Sequence, residues 1–354
     1  MGYYIGLDVS QRQTAVCIID EAGERLKEGK TLTQPTAIAD WVSRQIDLGQ
    51  VWAVGLEAGS LSAWLYNGLS KLNLPVVCLE TFQAHQFLKT NRNKTDQNDA
   101  RGLAQLLRMG PSYYKSVTIR SEQNQAARTL LTLRDHLVRQ KVGLENNITG
   151  SLKPFGLVVP RSQSTRVLRE RILIALVAAE ERGINLRDYV LPLVETYDSV
   201  CSQLIILTRQ AEKFAKENPI CKRLMTAPGV GPIVALSFMT AVDAPERFTG
   251  SEDIGAYFGL TPKQYQSGET DIRGGISGRG STMTRTHLVQ AATVLLINKK
   301  WSKLKAWGIK ISKRSGFNKA RIAVARKLSI ILHRMWVNEE NFRWTSAEET
   351  ILAA

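Results

Sequence analysis

The sequence predicts three segments: a mixed α/β domain over 1–118, a helical arm with coiled-coil spacing over 119–219, and a mainly α-helical, basic domain over 220–354. Three observations carry this. Short apolar runs alternate with polar turns through the first 110 residues, apolar residues then step by three and four, and positive charge gathers towards the C-terminus. The 354 residues carry a formal net charge of +15 and are 44% hydrophobic, which is enough to build buried cores and too apolar for a disordered chain. From 261 onward there are 17 Lys and Arg against 6 Asp and Glu. A basic end on an otherwise near-neutral chain points to a polyanion partner, nucleic acid first, against the plainer reading of a solvated basic surface.

The elements follow in order. "YYIGLDVS" (3–10), "TAVCIID" (14–20) and "ERLKEGKTL" (24–32) read as three strands joined by short turns, a meander. "TAIADWVSRQI" (36–46) reads as a helix, "VWAVGLEA" (51–58) as a buried strand, "SAWLYNGLSKL" (62–72) as a helix and "PVVCLE" (75–80) as a strand. A helix starts at Thr95. The order βββαβαβα is that of the ribonuclease H-like fold. Next, Ala126, Leu130, Leu133, Leu137, Leu144 and Ile148 form one heptad seam, and Val194, Tyr197, Cys201, Leu204, Thr208 and Ala211 another. "KPFGLVVPRS" (153–162) breaks the helix between them, so an antiparallel arm is expected. In the third segment "PGVGP" (228–232) is either a turn presenting amides to phosphate or an ordinary helix–helix turn.

Some classes are excluded. Cys17, Cys78, Cys201 and Cys221 are far apart with no CxxC pair, which argues against a zinc ribbon and against a disulfide framework. The N-terminus "MGYYIGLDVS" has no basic or apolar leader, and no apolar run approaches 18 residues. The chain is expected to be soluble and cytoplasmic, with no membrane partner.

Acids carry the chemistry. Asp8 ends the run "YYIGLD" and Glu57 ends "VWAVGLE", on strands that are neighbours in a ribonuclease H-like sheet. In "NKTDQNDARGLAQLL" (93–107), Asp96 and Asp99 stand three apart and share one face of the helix. Each has an ordinary explanation, since aspartate forms turns and caps helices. Glutamate, however, is uncommon in strands and is rarely buried unpaired. Four converging carboxylates repel one another unless a hard cation such as Mg²⁺ sits between them. Two such ions roughly 4 Å apart stabilise the attacking and leaving oxygens of phosphoryl transfer. His85, His136, His287 and His333 are scattered and offer no rival ligand set.

The second informative stretch is "YQSGETDIRGGISGRGSTMTR" (265–285), a Gly-rich loop with Arg273, Arg279 and Arg285 ahead of a helix. Glycine lets backbone approach phosphate and arginine neutralises it. The loop is no P-loop, because GxxxxGK[ST] is absent. On its own it reads as a mobile basic loop. Lys94, beside the acids, and Lys313, Arg314, Lys319 and Arg321 in the basic tail complete the candidate nucleic-acid contacts.

Together "GLDVS", "GLEAGS", "NKTDQNDARGLAQLLR", "PGVGPIVA", "YFGLTPKQYQSG" and "RGGISGRG" resemble the DEDD-type transposases of bacterial insertion sequences, over nearly the whole chain and in the same order. The same family includes a pilin-gene DNA invertase and bridge-RNA-guided recombinases. The resemblance implies a RuvC-like N-terminal domain bearing four acids at Asp8, Glu57, Asp96 and Asp99, a coiled-coil segment, and a transposase domain with a nucleophilic serine at Ser267. It implies Mg²⁺ as cofactor, DNA as substrate, a noncoding guide RNA and a homodimer or homotetramer. A serine hydroxyl is a weak nucleophile and needs a metal or base to act. Where the family carries a lysine, this chain reads Ser277-Gly278-Arg279-Gly280-Ser281, and Arg279 replaces it one position on. Lysine and arginine do not contact phosphate in the same way.

Three rivals remain. A RuvC-like hydrolytic nuclease uses the same acids with water and leaves Ser267 unexplained. A sugar-kinase-like ATPase also opens on "GLDVS" but repeats its phosphate-binding domain, and no repeat follows residue 120. A non-catalytic RNA-binding protein has no use for Glu57.

Overall fold

The computed structural model describes residues 2–89, 93–162, 164–267 and 270–344. The chain divides into two compact units, Met1–Arg120 and Ser121–Ala354.

The first unit runs β1 (Tyr3–Val9), β2 (Gln13–Ile19), β3 (Arg25–Leu32), α1 (Pro35–Ser43), β4 (Val51–Glu57), α2 (Ser62–Lys71), β5 (Val76–Leu79), α3 (Thr81–Leu88) and α4 (Asp96–Met109). Its sheet has the order β3-β2-β1-β4-β5. The first three strands form the expected antiparallel meander, while β4 lies parallel to β1 and β5 parallel to β4. Side chains alternate between the two faces. Ile5, Leu7, Val16 and Ile18 pack on Ile38, Val42, Leu65 and Leu69 from α1 and α2. Ala15, Cys17 and Ile19 pack on Ala100 and Ala104 of α4 from the other side. Thr95 caps α4, its Oγ1 accepting from the Asn98 amide at 3.2 Å, as the sequence led one to expect. The sequence had not announced α3, which is capped by Glu80 accepting from the Gln83 amide at 2.9 Å.

The second unit is built from α5 (Glu122–Leu152), α6 (Thr165–Glu180), α7 (Arg187–Glu217), α8 (Pro219–Leu224), α9 (Pro232–Val242), α10 (Asp253–Tyr257), β6 (Pro262–Ser267), β7 (Thr270–Ile276), α11 (Thr282–Ile297), α12 (Lys303–Ser315) and α13 (Phe317–Val337). The 31-residue helices α5 and α7 run antiparallel. At one end Ala127 and Leu131 cluster with Ala211 and Ala215, and at the other Ile148 and Leu152 cluster with Val194, Tyr197 and Cys201. The α7 seam is the predicted one. In α5 it is shifted by one residue at its start, and Leu133 is 53% exposed. The cause lies at mid-length, where Arg134 Nε donates to Thr208 Oγ1 at 2.9 Å and a polar pair replaces an apolar layer. An 18-residue window of α7 has a mean hydropathy of 1.3, but it is not an uninterrupted apolar run. Glu195 and Asp198 interrupt it as a run, and its buried residues Val194, Tyr197 and Cys201 face the helical cluster.

Two further expectations change. Pro228 and Val230 are buried, and a Cβ on Gly229 would lie 2.2 Å from the Ala291 carbonyl oxygen. "PGVGP" is therefore a close-packed helix–helix turn. The Gly-rich stretch is not a loop throughout: β6 and β7 pair as an antiparallel hairpin, with Ser267 opposite Thr270. Among the described residues of this stretch, Ser277–Ser281 remains as loop before α11.

Candidate active site

The acids are assembled by glycine. Gly6 of β1 sits opposite Gly55 of β4, and Leu7 opposite Leu56. One residue on, Asp8 and Glu57 end neighbouring parallel strands at the same edge of the sheet. Alternation puts Gly6 and Asp8 on the α4 face, together with Gly55 and Glu57. A Cβ at Gly6 would stand 1.9 Å from the Ala100 carbonyl oxygen, and one at Gly55 2.7 Å from Leu107 Cδ1. These two bare positions let α4 lie close against the sheet. Its first turn, with Asp96 and Asp99, is thereby brought to the strand ends.

Electrostatics record the convergence. Burial pushes the Asp8 carboxyl up to about 6, and the negative charges of Asp99, Asp96 and Glu57 push the same way, against Lys94. Burial also raises Glu57. His85 and Lys94 oppose that rise, and Asp99 and Glu80 reinforce it. Asp8 and Glu57 both line a cleft of about 470 Å³ shared with Ser10, Gln11 and Ser60. Such clefts at the carboxyl ends of strands are where open α/β sheets bind ligands.

Asp96 behaves differently from the other acids. Its carboxylate accepts a 2.6 Å hydrogen bond from Lys30 Nζ, which holds it below the usual carboxylate range. Lys30 pairs with Ala15 across β2–β3, and Ala15 with Asp8 across β1–β2. Lys30, Ala15 and Asp8 thus form one row across the α4 face, with the small alanine between the charges. Both partners of the ion pair are largely exposed, so its effect is mainly positional. Among the described residues no three His, Cys, Asp or Glu side chains stand together closely enough to hold a metal ion. The donor set nevertheless fits a hard divalent cation: all the candidate ligands are carboxylate oxygens, and the negative charges of Asp99, Asp96 and Glu57 are felt together at Asp8.

Other predicted contacts fall into groups. Ser267 ends an exposed strand. Near the middle of β6, Gln264 Nε2 donates to Asp271 Oδ1 of β7 at 3.1 Å and ties the hairpin across. The side chain of Arg273 lies outside the described residues. Arg279 is exposed between Gly278 and Gly280, both at positive φ. Arg285 holds this loop: its Nη1 donates to the carbonyls of Phe258 at 3.1 Å and Arg279 at 2.9 Å. Lys313 and Arg314 lie in the last turn of α12, and Lys319 in the first turn of α13; all three are exposed. Lys94 is exposed ahead of α4 and near enough to Asp8 and Glu57 to favour their charged forms.

Sequence reasoning missed Lys30, Glu80 and His85. It also missed the signal that best marks this site, the repeated Gly-Leu-acid triplet at 6–8 and 55–57.

Residues 5–155 match the family of DEDD transposases of the IS110 type, described as Transposase. Residues 221–306 match the family described as Transposase IS116/IS110/IS902 family. The chain belongs to the IS110 family of insertion-sequence transposases. It is 29% identical over 350 residues to the transposase for insertion sequence element IS1111A of Coxiella burnetii, covering 96% of this chain and 91% of that protein. It is 28% identical over 284 residues to the transposase for insertion sequence element IS1328 of Yersinia enterocolitica, covering 78% of this chain and 81% of that one. The first matched segment of this transposase contains all four acids, and the second contains Ser267, Arg273, Arg279 and Arg285. Lys313, Arg314, Lys319 and Arg321 lie beyond both.

Proposed function

We propose that this transposase is a site-specific DNA recombinase that breaks and rejoins strands through Ser267. The observation that carries the reading is the Gly6–Gly55 pair, because it brings the first turn of α4 to Asp8 and Glu57 and leaves Asp8 among like charges. The sheet order supports a ribonuclease H-like, RuvC-like assignment for the first unit. Asp8, Glu57, Asp96 and Asp99 would hold the divalent metal, Mg²⁺ in this reading. When bound, that metal supplies Lewis-acid polarisation of the phosphoryl oxygens.

The residues do the rest. Ser267 Oγ forms a bond to phosphorus, a P–O ester bond of the strand breaks, the hydroxyl proton leaves, and the released strand oxygen takes up a proton. The phosphoserine keeps the energy of the ester, so the reverse attack by a new strand end reseals DNA without hydrolysis. Arg279 and the loop amides would neutralise phosphate during both steps. A guide RNA would choose the sites, and the basic tail offers phosphate-binding surface to either nucleic acid. A homodimer or homotetramer would supply the several active centres that exchange of two duplexes needs.

The adduct decides. A nicked substrate should trap wild-type protein on DNA in a denaturant-resistant complex that digestion assigns to Ser267. Ser267→Ala should form no adduct and cut nothing while still binding DNA. An alanine variant that cuts DNA, with no adduct in wild type, would establish the hydrolytic RuvC-like nuclease instead.

A further inference from the structure

The end of β7, α11 and α13 enclose a cleft of about 400 Å³ to which the reaction assigns no role. Thr286, Gln290 and Thr293 line one wall; steps of four and three put them on a single face of α11. Arg285 and Arg321 complete the lining, and no carboxylate is among the lining residues. Arg321 has its Nε buried without a hydrogen-bond partner. A buried guanidinium N–H left unpaired is costly, so its presence in a polar cleft calls for an acceptor. Arg285 is fixed in place: besides its two carbonyl bonds, its Nη2 donates to Thr282 Oγ1 at 3.1 Å. It adds an immobile positive charge on the opposite side from α13.

We propose that this cleft holds one phosphate of the DNA strand, a reading that rests on the recombinase function above. Two guanidiniums, hydroxyls and an amide with no carboxylate make an anion site, and arginine's planar fork suits a phosphodiester. Position supports DNA as the source. Ile276, which also lines the cleft, ends the strand whose other end, Thr270, pairs with Ser267. Six strand steps span ~20 Å at about 3.3 Å each. Along a duplex axis that is roughly six base steps at about 3.4 Å. The cleft therefore grips the substrate about six nucleotides from the attacked phosphate, and fixes which phosphate meets Ser267.

The test combines a neutral-phosphate scan with two variants, on the full chain. Wild-type binding is measured by salt titration on DNA carrying a single methylphosphonate at each position in turn. Arg321→Gln and Gln290→Glu are then measured alongside, with melting curves to check the fold. Gln290 is exposed, so its isosteric glutamate adds charge without repacking. The expected result is about a tenfold loss for each variant and a salt slope reduced by about one for Arg321→Gln. A methylphosphonate roughly six nucleotides from the cut should weaken wild type and leave Arg321→Gln unaffected. Variants that bind DNA as wild type does, with an unchanged scan, overturn the site while leaving the recombinase intact. Loss confined to a structured RNA probe overturns the assignment to DNA. Wild-type binding insensitive to every neutral phosphate, including the attacked one, overturns the recombinase reading itself.

Discussion

In the first unit, the strands that carry acids have a paired neighbour on each side: β1 lies between β2 and β4, and β4 between β1 and β5. In the second, all six residues of β6, Ser267 among them, are exposed, and the strand pairs with β7 alone. The acids are thus held by packing that permits little movement, whereas the serine rides on a hairpin held by its own ladder. Carboxylates that share a metal must be fixed with respect to one another, because ligand geometry sets both affinity and chemistry. A nucleophile that attacks one strand and later yields it to another is served by a mount that can follow its substrate.

The largest effect expected from this contrast lies in the acids. Asp8→Asn, Glu57→Gln and Asp99→Asn should each lower the strand-exchange rate by ~10²-fold or more, since bound metal supplies several kcal/mol of transition-state stabilisation. DNA affinity and the circular dichroism spectrum should stay near wild type. Strand exchange at wild-type rate in Glu57→Gln would remove that residue from the metal set.

Next comes glycine, which separates the two mounts directly. Gly6→Ala places its Cβ against a backbone oxygen that cannot turn aside, and the first unit should lose about 1–3 kcal/mol in denaturant melts. Gly274→Ala on the hairpin meets only Lys263 Cβ at 3.7 Å, and the cost should stay within about 0.5 kcal/mol. Equal losses at the two positions would mean that α4 does not press on the sheet as described.

This contrast also explains what the sequence reveals. Asp8 and Glu57 were legible because each ends an apolar run, and strand order follows from period and short connections. Asp96 and Asp99 were legible from helical spacing. The Lys30–Asp96 pair was not, because the two residues are 66 positions apart and meet only through the register of three strands. The hairpin was hidden for another reason: with both faces in solvent it lacks the apolar alternation that identifies half-buried strands. The α5 seam failed at Leu133, because a polar pair at Arg134 and Thr208 breaks a heptad that composition alone would continue.

A smaller effect is expected in the tail. Lys313→Gln, Arg314→Gln and Lys319→Gln together should weaken nucleic-acid binding about tenfold at moderate salt. They should also lower the slope of log affinity against log salt by up to about three, or about 0.9 per phosphate released. An unchanged slope would assign these charges to solvation and to the dipole at the end of α12.

The smallest effect is the most specific to the acid cluster. Asp8 has its folded pKa raised from the ordinary 3.8 to about 6, first by burial and then by Asp99, Asp96 and Glu57. Between those values the folded chain binds more protons than the unfolded one, so stability falls as pH rises through the window. The cost of the charge is absent below pH 3.8, grows up to about pH 6, and is fully present above it. Asp8→Asn removes that cost. In chelator-containing buffer at pH 7.5 the variant should be more stable than wild type by ~1 kcal/mol, a figure discounted for solvent screening at this half-exposed position. The gap should close as the pH is lowered towards 4. Adding Mg²⁺ should then stabilise wild type and leave the variant largely unmoved, because binding to the folded state alone shifts the equilibrium towards it. A variant less stable than wild type in chelator at pH 7.5 would mean that a cation of the chain already neutralises Asp8, with Lys94 the first to examine.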